Sequence, residues 1–313
     1  DLDKGTPQFD CFHATCLRAG RHVLPASCFW QGGVMNQKWE AATDAGQDFS
    51  ELLGAQPDRS LLVFDFDGTL SEIVPNPPDA RIVDESADAI ARLAAAGVRV
   101  AIISGRPVAT LLELAGAKDR SGFERAIVFG HYGAEKLDLE TGIESSPEPP
   151  VGVAQAKESL RPIADRYPGA HLEDKGLAVA LHLRQTTHPE QAFKEVEGEV
   201  RQVAAQTGLV VEPGRYVWEL RAASIDKGQA LQQLLDDLEP TAVAFAGDDL
   251  GDLPAFRVLK EHTGPQLKCS VVSASPETPG LLPLADVLCD GPKGVAAWLL
   301  SLADLVDASS TPL

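Results

Sequence analysis

Leu61-Leu62-Val63-Phe64-Asp65-Phe66-Asp67-Gly68-Thr69 is the most informative stretch of the chain: four apolar residues run directly into two aspartates, a glycine and a threonine. A continuous apolar run of this length predicts a strand that is buried on both faces, as in parallel sheets. Such sheets bind ligands outside the carboxyl ends of their strands, where Asp65 would stand. Gly68 would let the chain turn sharply just beyond it. The stretch therefore predicts a central strand with a functional site at its tip.

Two aspartates at this spacing predict phosphoryl chemistry. An ionised carboxylate can attack phosphorus and form an aspartyl-phosphate. A second carboxyl group nearby can give a proton to the leaving oxygen and then take one from water. Neighbouring negative charges raise at least one carboxyl pKa unless a cation joins them, so the pair also predicts Mg²⁺, which prefers oxygen ligands. The alternative is an ordinary Asp-Gly turn that closes a strand.

The composition is that of a globular protein, and it argues against several classes of partner. The chain has 313 residues, of which 44% are hydrophobic and 23% are charged, which suits one large or two medium domains. A formal net charge of −19 argues against binding to nucleic acid or to an anionic membrane surface. No stretch of the sequence approaches the roughly 18 apolar residues of a membrane span. An anionic substrate would therefore need local cations to attract it.

Strands and helices alternate on both sides of a central insertion, which predicts an α/β fold with a Rossmann-like parallel sheet. A helix from Trp39 to Leu53 is expected to precede this core. Asp226 is expected to cap a helix that begins at Lys227. Besides the strand that ends at Asp65, buried strands are predicted at 98–103 and 241–246, and further strands are predicted at 126–129, 269–273 and 286–289.

The segment 147–221 interrupts this pattern and predicts an inserted α+β cap domain. It follows a proline-rich linker at 145–150, and it contains the order helix, strand, strand twice. Apolar residues at every second position from Leu177 to Leu183 predict a half-buried strand of an antiparallel sheet. We therefore expect a core domain at 59–146 and 222–305, with the cap domain between its two parts.

The start of the chain shows neither helical nor strand periodicity, and it lacks the apolar core of a signal peptide. We expect residues 1–34 to be a disordered or non-native extension and residues 35–58 to be an N-terminal helical segment. Three of the five cysteines lie near two histidines here, but their spacing matches no zinc pattern, so we interpret them as reduced thiols. The residues concerned are Cys11, Cys16, Cys28, His13 and His22.

Four loops, each at the end of a strand or the start of a helix, carry polar groups that suit a phosphoryl site. Asp65 and Asp67 lie on the first loop. Ser104 ends the second strand, where its hydroxyl can donate a hydrogen bond to a phosphoryl oxygen. Lys227 opens a helix, where its ammonium and nearby N–H groups favour an anion. Asp248 ends another strand and would complete a magnesium site with Asp65. Each residue alone could be a helix cap, a solvated lysine or part of an acidic loop, but their combination predicts an active site.

This order of motifs resembles the haloacid dehalogenase superfamily, and the inserted domain resembles the cap of its sugar-phosphate phosphatases. From about residue 61 to residue 298, the chain is more closely similar to the trehalose-6-phosphate phosphatase family. The stretches that carry this resemblance are Ser104-Gly105-Arg106, His131-Tyr132-Gly133-Ala134-Glu135, Glu173-Asp174-Lys175-Gly176-Leu177-Ala178, Val217-Trp218-Glu219-Leu220-Arg221 and Asp226-Lys227-Gly228.

The resemblance implies a role for each matching position. Asp65 would be the nucleophile and a metal ligand, and Asp67 would be the general acid and base, with its backbone carbonyl also on the metal. Ser104 and Lys227 would hold the phosphoryl group, and Asp248 would complete the Mg²⁺ site. The substrate would be bound by residues of the matching motifs and of the cap, namely Arg106, His131, Glu135, Glu173, Lys175, His182 and Glu219.

The last motif departs from the family pattern Gly-Asp-Asp-x-Thr-Asp-Glu, because Gly251 and Leu253 stand in place of the threonine and the glutamate. This departure bears on the groups that support the metal ligands, though not on Asp248 itself. The resemblance implies a magnesium-dependent enzyme that hydrolyses trehalose 6-phosphate. We also expect the protein to be a cytoplasmic monomer. Alternatives are a sucrose-phosphate or mannosylphosphoglycerate phosphatase, or a catalytically inactive regulatory module. Dehalogenases do not need an acid at the position of Asp67, because halide leaves without a proton.

Overall fold

The computed structural model describes residues 38–222, 226–276 and 278–309, which form two β-sheets with helices packed on them. The predicted extension at 1–34 lies outside the described residues. Among the helices of the described ranges, none combines the length and the apolar composition that a membrane span requires.

The elements of the described residues alternate between strand and helix on both sides of the insertion, as the sequence predicts. The helices are α1 (Asp44–Ala55), α2 (Asp84–Ala95), α3 (Val108–Leu114), α4 (Val151–Ala164), α5 (Pro189–Thr207), α6 (Lys227–Leu238), α7 (Leu253–Glu261), α8 (Thr278–Leu281) and α9 (Gly291–Ser309). The strands are β1 (Trp39–Ala41), β2 (Ser60–Phe64), β3 (Arg99–Ile103), β4 (Ile127–Gly130), β5 (Glu135–Asp138), β6 (Glu144–Ser145), β7 (His171–Asp174), β8 (Ala178–His182), β9 (Val210–Gly214), β10 (Val217–Arg221), β11 (Ala242–Gly247), β12 (Leu267–Ser273) and β13 (Val287–Cys289).

The larger sheet has nine strands in the order β1-β13-β12-β11-β2-β3-β4-β5-β6, and the strands from β13 to β4 run parallel. Strand β2 lies at its centre, and all of its residues are buried, which confirms the interpretation of the apolar run. Side chains of α1, α2 and α9 pack on one face of this sheet, and side chains of α6 and α7 pack on the other. This arrangement is the predicted Rossmann-like core.

The segment Val151–Arg221, which we call the cap, forms a four-stranded antiparallel sheet in the order β7-β8-β10-β9. Helices α4 and α5 cover one face of it, where Trp218 stacks on Phe193 with their ring centroids 4.2 Å apart. The prediction that β8 is half-buried is wrong, because every residue of Ala178–His182 is buried. The second face of the strand carries Ala178, Ala180 and His182, and His182 contacts Glu173 of β7.

Two edge regions of the larger sheet differ from the prediction. Trp39 does not begin a helix, because Trp39–Ala41 pairs antiparallel with β13 as an edge strand, and α1 starts only at Asp44. The hairpin of β5 and β6, which was not predicted, extends the sheet beyond β4. Its first strand, Glu135–Asp138, has three charged residues out of four, so backbone pairing rather than a hydrophobic pattern defines it.

Candidate active site

Asp65 and Asp248 follow two neighbouring parallel strands and meet at the same edge of the sheet. Strand β2 pairs with β11 in a register that sets Phe64 opposite Ala246, and the Asp65 N–H donates a hydrogen bond to the Ala246 carbonyl oxygen at 2.8 Å. The chain enters each loop directly from a buried strand, so both carboxylates start from rigid backbone. Their side chains are buried, with Asp65 only 5% exposed and Asp248 3% exposed.

Lys227 brings a positive charge into this acidic cluster. It is the first residue of α6, and the Asp226 side chain caps that helix by accepting a hydrogen bond from the Gln229 N–H at 3.0 Å, as predicted. The Lys227 ammonium lies 2.7 Å from Oδ1 of Asp65 and 2.7 Å from Oδ1 of Asp252. The helix start therefore fixes the ammonium between two buried carboxylates.

Asp252 is a part of the site that the sequence analysis did not select. Its Oδ1 faces Lys227, and its Oδ2 accepts hydrogen bonds from the N–H groups of Asp248, at 2.9 Å, and Asp249, at 3.3 Å. Asp252 therefore connects the loop after β11 to the start of α6. The sequence signal for this role is its match to the last aspartate of the family pattern, four residues after Asp248, whereas its other partner, Lys227, lies far away in the sequence.

The two departures from the family pattern lie in the same turn. At the first departure, the Gly251 N–H donates a hydrogen bond to Oδ1 of Asp249 at 2.9 Å. The turn is therefore closed by a backbone hydrogen bond that needs no threonine side chain. Leu253 begins α7 and packs against the hydrophobic cluster on that face of the sheet. Asp252, between them, supplies the hydrogen bonds to the Asp248 loop. The turn is thus supported without the threonine and the glutamate.

Burial and like charge shift the pKa values of the cluster strongly. Burial raises the pKa of Asp65 well above its ordinary value, although the Lys227 ammonium acts in the opposite direction. Burial, followed by repulsion from Asp65, raises the pKa of Asp248 to about 10. Burial alone would lower the pKa of Lys227, but Asp252 and Asp65 hold it well above its usual range. The single positive charge of Lys227 does not balance the negative charges that these carboxylates carry when they are ionised. An additional cation would therefore stabilise their ionised forms.

The donor set fits a hard divalent cation. Carboxylate oxygens of Asp65, Asp248 and Asp252 lie within 4.8 Å of one another and are buried. Both oxygens of Asp252 already accept hydrogen bonds, so Asp65 and Asp248 are the better ligands. Gly68 has φ +80°, and a Cβ atom there would lie 2.3 Å from Oδ2 of Asp248, so only glycine allows the first loop to approach this carboxylate. Oxygen ligands of this type suit Mg²⁺.

The Asp67 side chain is not part of this carboxylate cluster. Arg106 donates two hydrogen bonds to it, from Nε to Oδ2 and from Nη2 to Oδ1, each 2.6 Å long. A third bond runs from Arg106 Nη1 to the Pro77 carbonyl oxygen at 3.1 Å. Ser104, which is 2% exposed, accepts a hydrogen bond through Oγ from the Arg106 N–H at 3.3 Å. The structure thus gives Arg106, predicted to bind substrate, a direct contact with the predicted general acid.

The face of the cap sheet opposite α4 and α5 carries two hydrogen-bonded pairs of polar side chains. His182 Nε2 lies 2.8 Å from Oε2 of Glu173, and the His182 ring stacks on His171 with their centroids 4.6 Å apart. The hydrogen bond from His182 is the main reason why the pKa of Glu173 is lowered. Lys175 donates a hydrogen bond to Oε2 of Glu219, whose Oε1 is buried without a partner among the described residues. All four cap residues predicted to bind substrate therefore lie together on this face.

Two further predicted substrate-binding residues lie in the core, on the segment after β4. His131 is buried, and neither of its ring nitrogens has a hydrogen-bond partner among the described residues. Burial is the main reason why its pKa is lowered. Glu135 Oε2 accepts a hydrogen bond from the Val108 N–H at 2.8 Å, so this carboxylate stabilises the start of α3. Substrate binding by either residue stays a prediction.

Comparisons of the sequence with known proteins identify a family. A sequence model of the trehalose-phosphatase family matches residues 63–281. Trehalose-6-phosphate phosphatase of Escherichia coli (strain K12) is 32% identical over 209 residues, which cover 66% of this chain and 75% of that protein. Trehalose-phosphate phosphatase of Mycobacterium marinum is 34% identical over 223 residues, which cover 68% of this chain but 55% of that protein.

A solved structure shows the same fold. The C-terminal domain of trehalose-6-phosphate phosphatase from C. albicans superposes with a TM-score of 0.65 and 21% sequence identity, covering 82% of this chain and 97% of that domain. The family model spans most of the chain, from the central strand to the helix after β12. The chain belongs to the trehalose-phosphatase family of phosphoric monoester hydrolases.

Proposed function

We propose that the protein hydrolyses trehalose 6-phosphate to trehalose and phosphate through an aspartyl-phosphate on Asp65, with Mg²⁺ as cofactor. The observation that supports this most strongly is the buried cluster at the carboxyl ends of β2 and β11. There, Asp65 and Asp248 lie beside the Lys227 ammonium, and Asp67 stands two residues beyond Asp65. An ordinary Asp-Gly turn would need neither a buried lysine nor a second strand end with a carboxylate.

Asp65 has the position of a nucleophile. Its Oδ1 lies against the Lys227 ammonium, which favours the ionised carboxylate that burial disfavours. Lys227 and the Ser104 hydroxyl would hold the phosphoryl oxygens. Attack by an Asp65 oxygen on phosphorus forms the acyl-phosphate bond and breaks the bond to the sugar oxygen. Water then attacks the acyl-phosphate, which releases phosphate and restores the carboxylate.

Asp67 would move the protons of both steps. A sugar alkoxide is a poor leaving group, so Asp67 in its protonated form gives a proton to that oxygen as the bond to phosphorus breaks. The resulting carboxylate then takes a proton from the attacking water, which returns Asp67 to its starting state. The two hydrogen bonds from Arg106 hold the carboxylate form in one orientation. The same contact must loosen when Asp67 carries its proton, because a guanidinium only donates.

Asp65 and Asp248 would hold Mg²⁺, together with the backbone carbonyl of Asp67 that the family resemblance implies. When bound, the ion neutralises charge on these carboxylates and on the phosphoryl group. The shifted pKa of Asp248 supports this assignment, since a buried carboxyl group with a pKa of about 10 would otherwise carry a proton at neutral pH.

The polar face of the cap supports a sugar phosphate as the substrate. Glu173, Lys175, His182 and Glu219 offer donors and acceptors that suit hydroxyl groups, and they lie on the face of the cap sheet opposite α4 and α5. The phosphoryl site alone cannot distinguish one sugar from another. Recognition of the two glucose units of trehalose 6-phosphate would therefore depend on these residues. That the protein acts as a cytoplasmic monomer stays a prediction.

The test is phosphate release across a panel of sugar phosphates, in Mg²⁺ and after treatment with EDTA. We expect trehalose 6-phosphate to have the highest kcat/KM, and we expect activity only with the metal. A higher value for sucrose 6-phosphate or for mannosylphosphoglycerate would reassign the substrate but keep the phosphatase. Absence of phosphate release from every substrate, p-nitrophenyl phosphate included, would favour the inactive regulatory module instead.

A further inference from the structure

Tyr132 has a backbone conformation that is rare for a bulky residue. It lies two residues after the end of β4 with φ 62° and ψ 13°, in the left-handed region, and His131 before it also has a positive φ of 49°. Such conformations persist only where surrounding contacts enforce them, and they are concentrated at functional sites. The backbone conformation of Tyr132 therefore indicates that its contacts hold the residue in place.

One set of contacts joins Tyr132 to the loop Ser104–Arg106. The Tyr132 N–H donates a hydrogen bond to the Ser104 carbonyl oxygen at 2.8 Å. The ring lies against Gly105, where a Cβ atom would come within 2.6 Å of the Tyr132 Cζ atom. Tyr132 thus touches the residue between the predicted phosphoryl ligand and the arginine that holds Asp67.

The same ring also contacts the cap. The guanidinium carbon of Arg221 lies 4.5 Å from the centroid of the Tyr132 ring, a cation–π distance. Arg221 is the last residue of β10, and its Nη2 donates a hydrogen bond to Oε2 of Glu212 on β9 at 2.9 Å. The guanidinium is therefore held by the cap sheet, at the point where the chain leaves the cap.

We propose that Tyr132 is a positioning residue that couples the placement of the cap to the loop Ser104–Arg106. The proposal rests on the proposed function, in which this loop holds the phosphoryl group while the cap holds the sugar. When the cap sheet settles on a sugar, Arg221 moves with it and presses the Tyr132 ring onto Gly105. Sugar binding would in this way set the geometry of Ser104 and of Arg106, and through Arg106 that of Asp67.

The first test separates the cap contact from the chemistry at phosphorus. Arg221→Met keeps an unbranched side chain but removes the cation, and it is assayed on trehalose 6-phosphate and on p-nitrophenyl phosphate, which has no sugar for the cap to hold. Loss of a partly buried cation–π contact should lower kcat/KM for the sugar phosphate by about fivefold or more. The value for p-nitrophenyl phosphate should stay within about twofold. Glu212→Gln is the matched control, because it weakens the ion pair of Arg221 but leaves the guanidinium over the ring.

The second test asks whether the effect of the Arg221 contact on activity depends on the Tyr132 ring. Tyr132→Phe keeps the ring and should retain the activity of the wild type on both substrates. Tyr132→Leu removes the ring and should lower kcat/KM on both, since the loop Ser104–Arg106 loses its support. In a Tyr132→Leu background, Arg221→Met should have less than about a twofold further effect, because the contact that it removes is already gone. Melting temperatures measured alongside would identify a variant that fails to fold.

Additive effects of Tyr132→Leu and Arg221→Met on trehalose 6-phosphate would overturn the coupling. Equal losses of kcat/KM on both substrates for Arg221→Met would also overturn it. A large loss of kcat/KM for Tyr132→Phe would overturn it too, because it would indicate that the Tyr132 hydroxyl itself contacts substrate. The outcome for the proposed function is separate, because it is read from the wild type alone. A wild type that hydrolyses trehalose 6-phosphate with variants that behave additively would refute the coupling and retain the function.

Discussion

The Lys227 ammonium and the Asp252 carboxylate form a buried pair, 2.7 Å apart, that joins the start of α6 to the turn before α7. Asp252 is fully buried, and its second oxygen accepts hydrogen bonds from the backbone of the Asp248 loop. The pair therefore stabilises the fold and also fixes the ammonium that faces Asp65.

Asp252→Asn is expected to destabilise the protein and to lower its activity. Loss of the charged hydrogen bond to Lys227 should reduce the free energy of unfolding by about 1.5–3 kcal/mol. Asp249→Asn is the control in the same turn, because Asp249 is exposed and accepts a hydrogen bond from the Gly251 N–H, and the change in stability should stay within about 0.5 kcal/mol. Urea unfolding in EDTA measures both variants. Equal losses of stability would show that Asp252 has no special role.

Asp67→Asn is expected to stop the reaction after its first half on an activated substrate. p-Nitrophenolate leaves without needing a proton, so Asp65 should still become phosphorylated. Water then lacks its base, and the acyl-phosphate should accumulate. Rapid-mixing absorbance should show a burst of about one p-nitrophenolate per enzyme, followed by a much slower phase. The wild type should show steady release, and Asp65→Asn no burst. Steady turnover of Asp67→Asn at the rate of the wild type would exclude Asp67 as the base.

Stability without metal is expected to fall as the pH rises. The pKa of Asp248 is about 10 in the folded protein, above its ordinary value of 3.8, so the folded state keeps a proton that the unfolded state releases. The stabilisation is complete below the unfolded pKa and is lost as the pH approaches the folded pKa, with a slope of at most about 1.4 kcal/mol per pH unit for one proton.

Mg²⁺ favours the ionised carboxylate, so the stabilisation that it adds should grow with pH. Melting temperatures between about pH 5.5 and about pH 8.5, in EDTA and in Mg²⁺, check this expectation. Asp248→Asn should flatten the slope in EDTA and remove most of the effect of Mg²⁺. An EDTA profile that rises over this range, or a metal effect that is unchanged in Asp248→Asn, would contradict the assignment of this residue.

Glu173→Ala is expected to impair recognition of the sugar but not the chemistry at phosphorus. A lost charged hydrogen bond to a hydroxyl group is worth roughly 1.5–3 kcal/mol, or about ten- to a hundredfold in kcat/KM for trehalose 6-phosphate. Hydrolysis of p-nitrophenyl phosphate should barely change. Asp174→Ala is the neighbouring control, since Asp174 pairs with Lys157 of α4 at 2.6 Å. Equal losses on both substrates would mean that Glu173 acts on folding or on cap closure.

The features that could be predicted from the sequence are those with a local signature. The apolar run before Asp65 predicted a fully buried strand, and that strand is β2. Asp226 before Lys227 predicted a capped helix start, which the structure confirms. Alternation of strand and helix predicted the parallel sheet, because right-handed crossovers leave few other topologies.

The features that were missed depend on partners that are distant in the sequence. Trp39 has a helical pattern of apolar neighbours, but its strand forms only because Cys289 is available opposite it. The period of two in β8 predicts one buried face, whereas the fold also buries the face of His182. Asp252 looked like part of an acidic loop until the fold set it against Lys227. Local pattern therefore predicted the strand that leads to Asp65 but not all of the contacts around that residue.

The most direct measurement is phosphate release from trehalose 6-phosphate, in Mg²⁺, by the wild type and by Asp65→Asn, with a circular dichroism spectrum of each. Asn keeps the shape of Asp65, and Lys227 retains its bond to Asp252, so the variant should fold like the wild type. We expect the wild type to release phosphate and trehalose in equal amounts, and Asp65→Asn to be slower by about 10⁴-fold or more. A well-folded Asp65→Asn variant that keeps a substantial part of the activity would show that Asp65 is not the nucleophile.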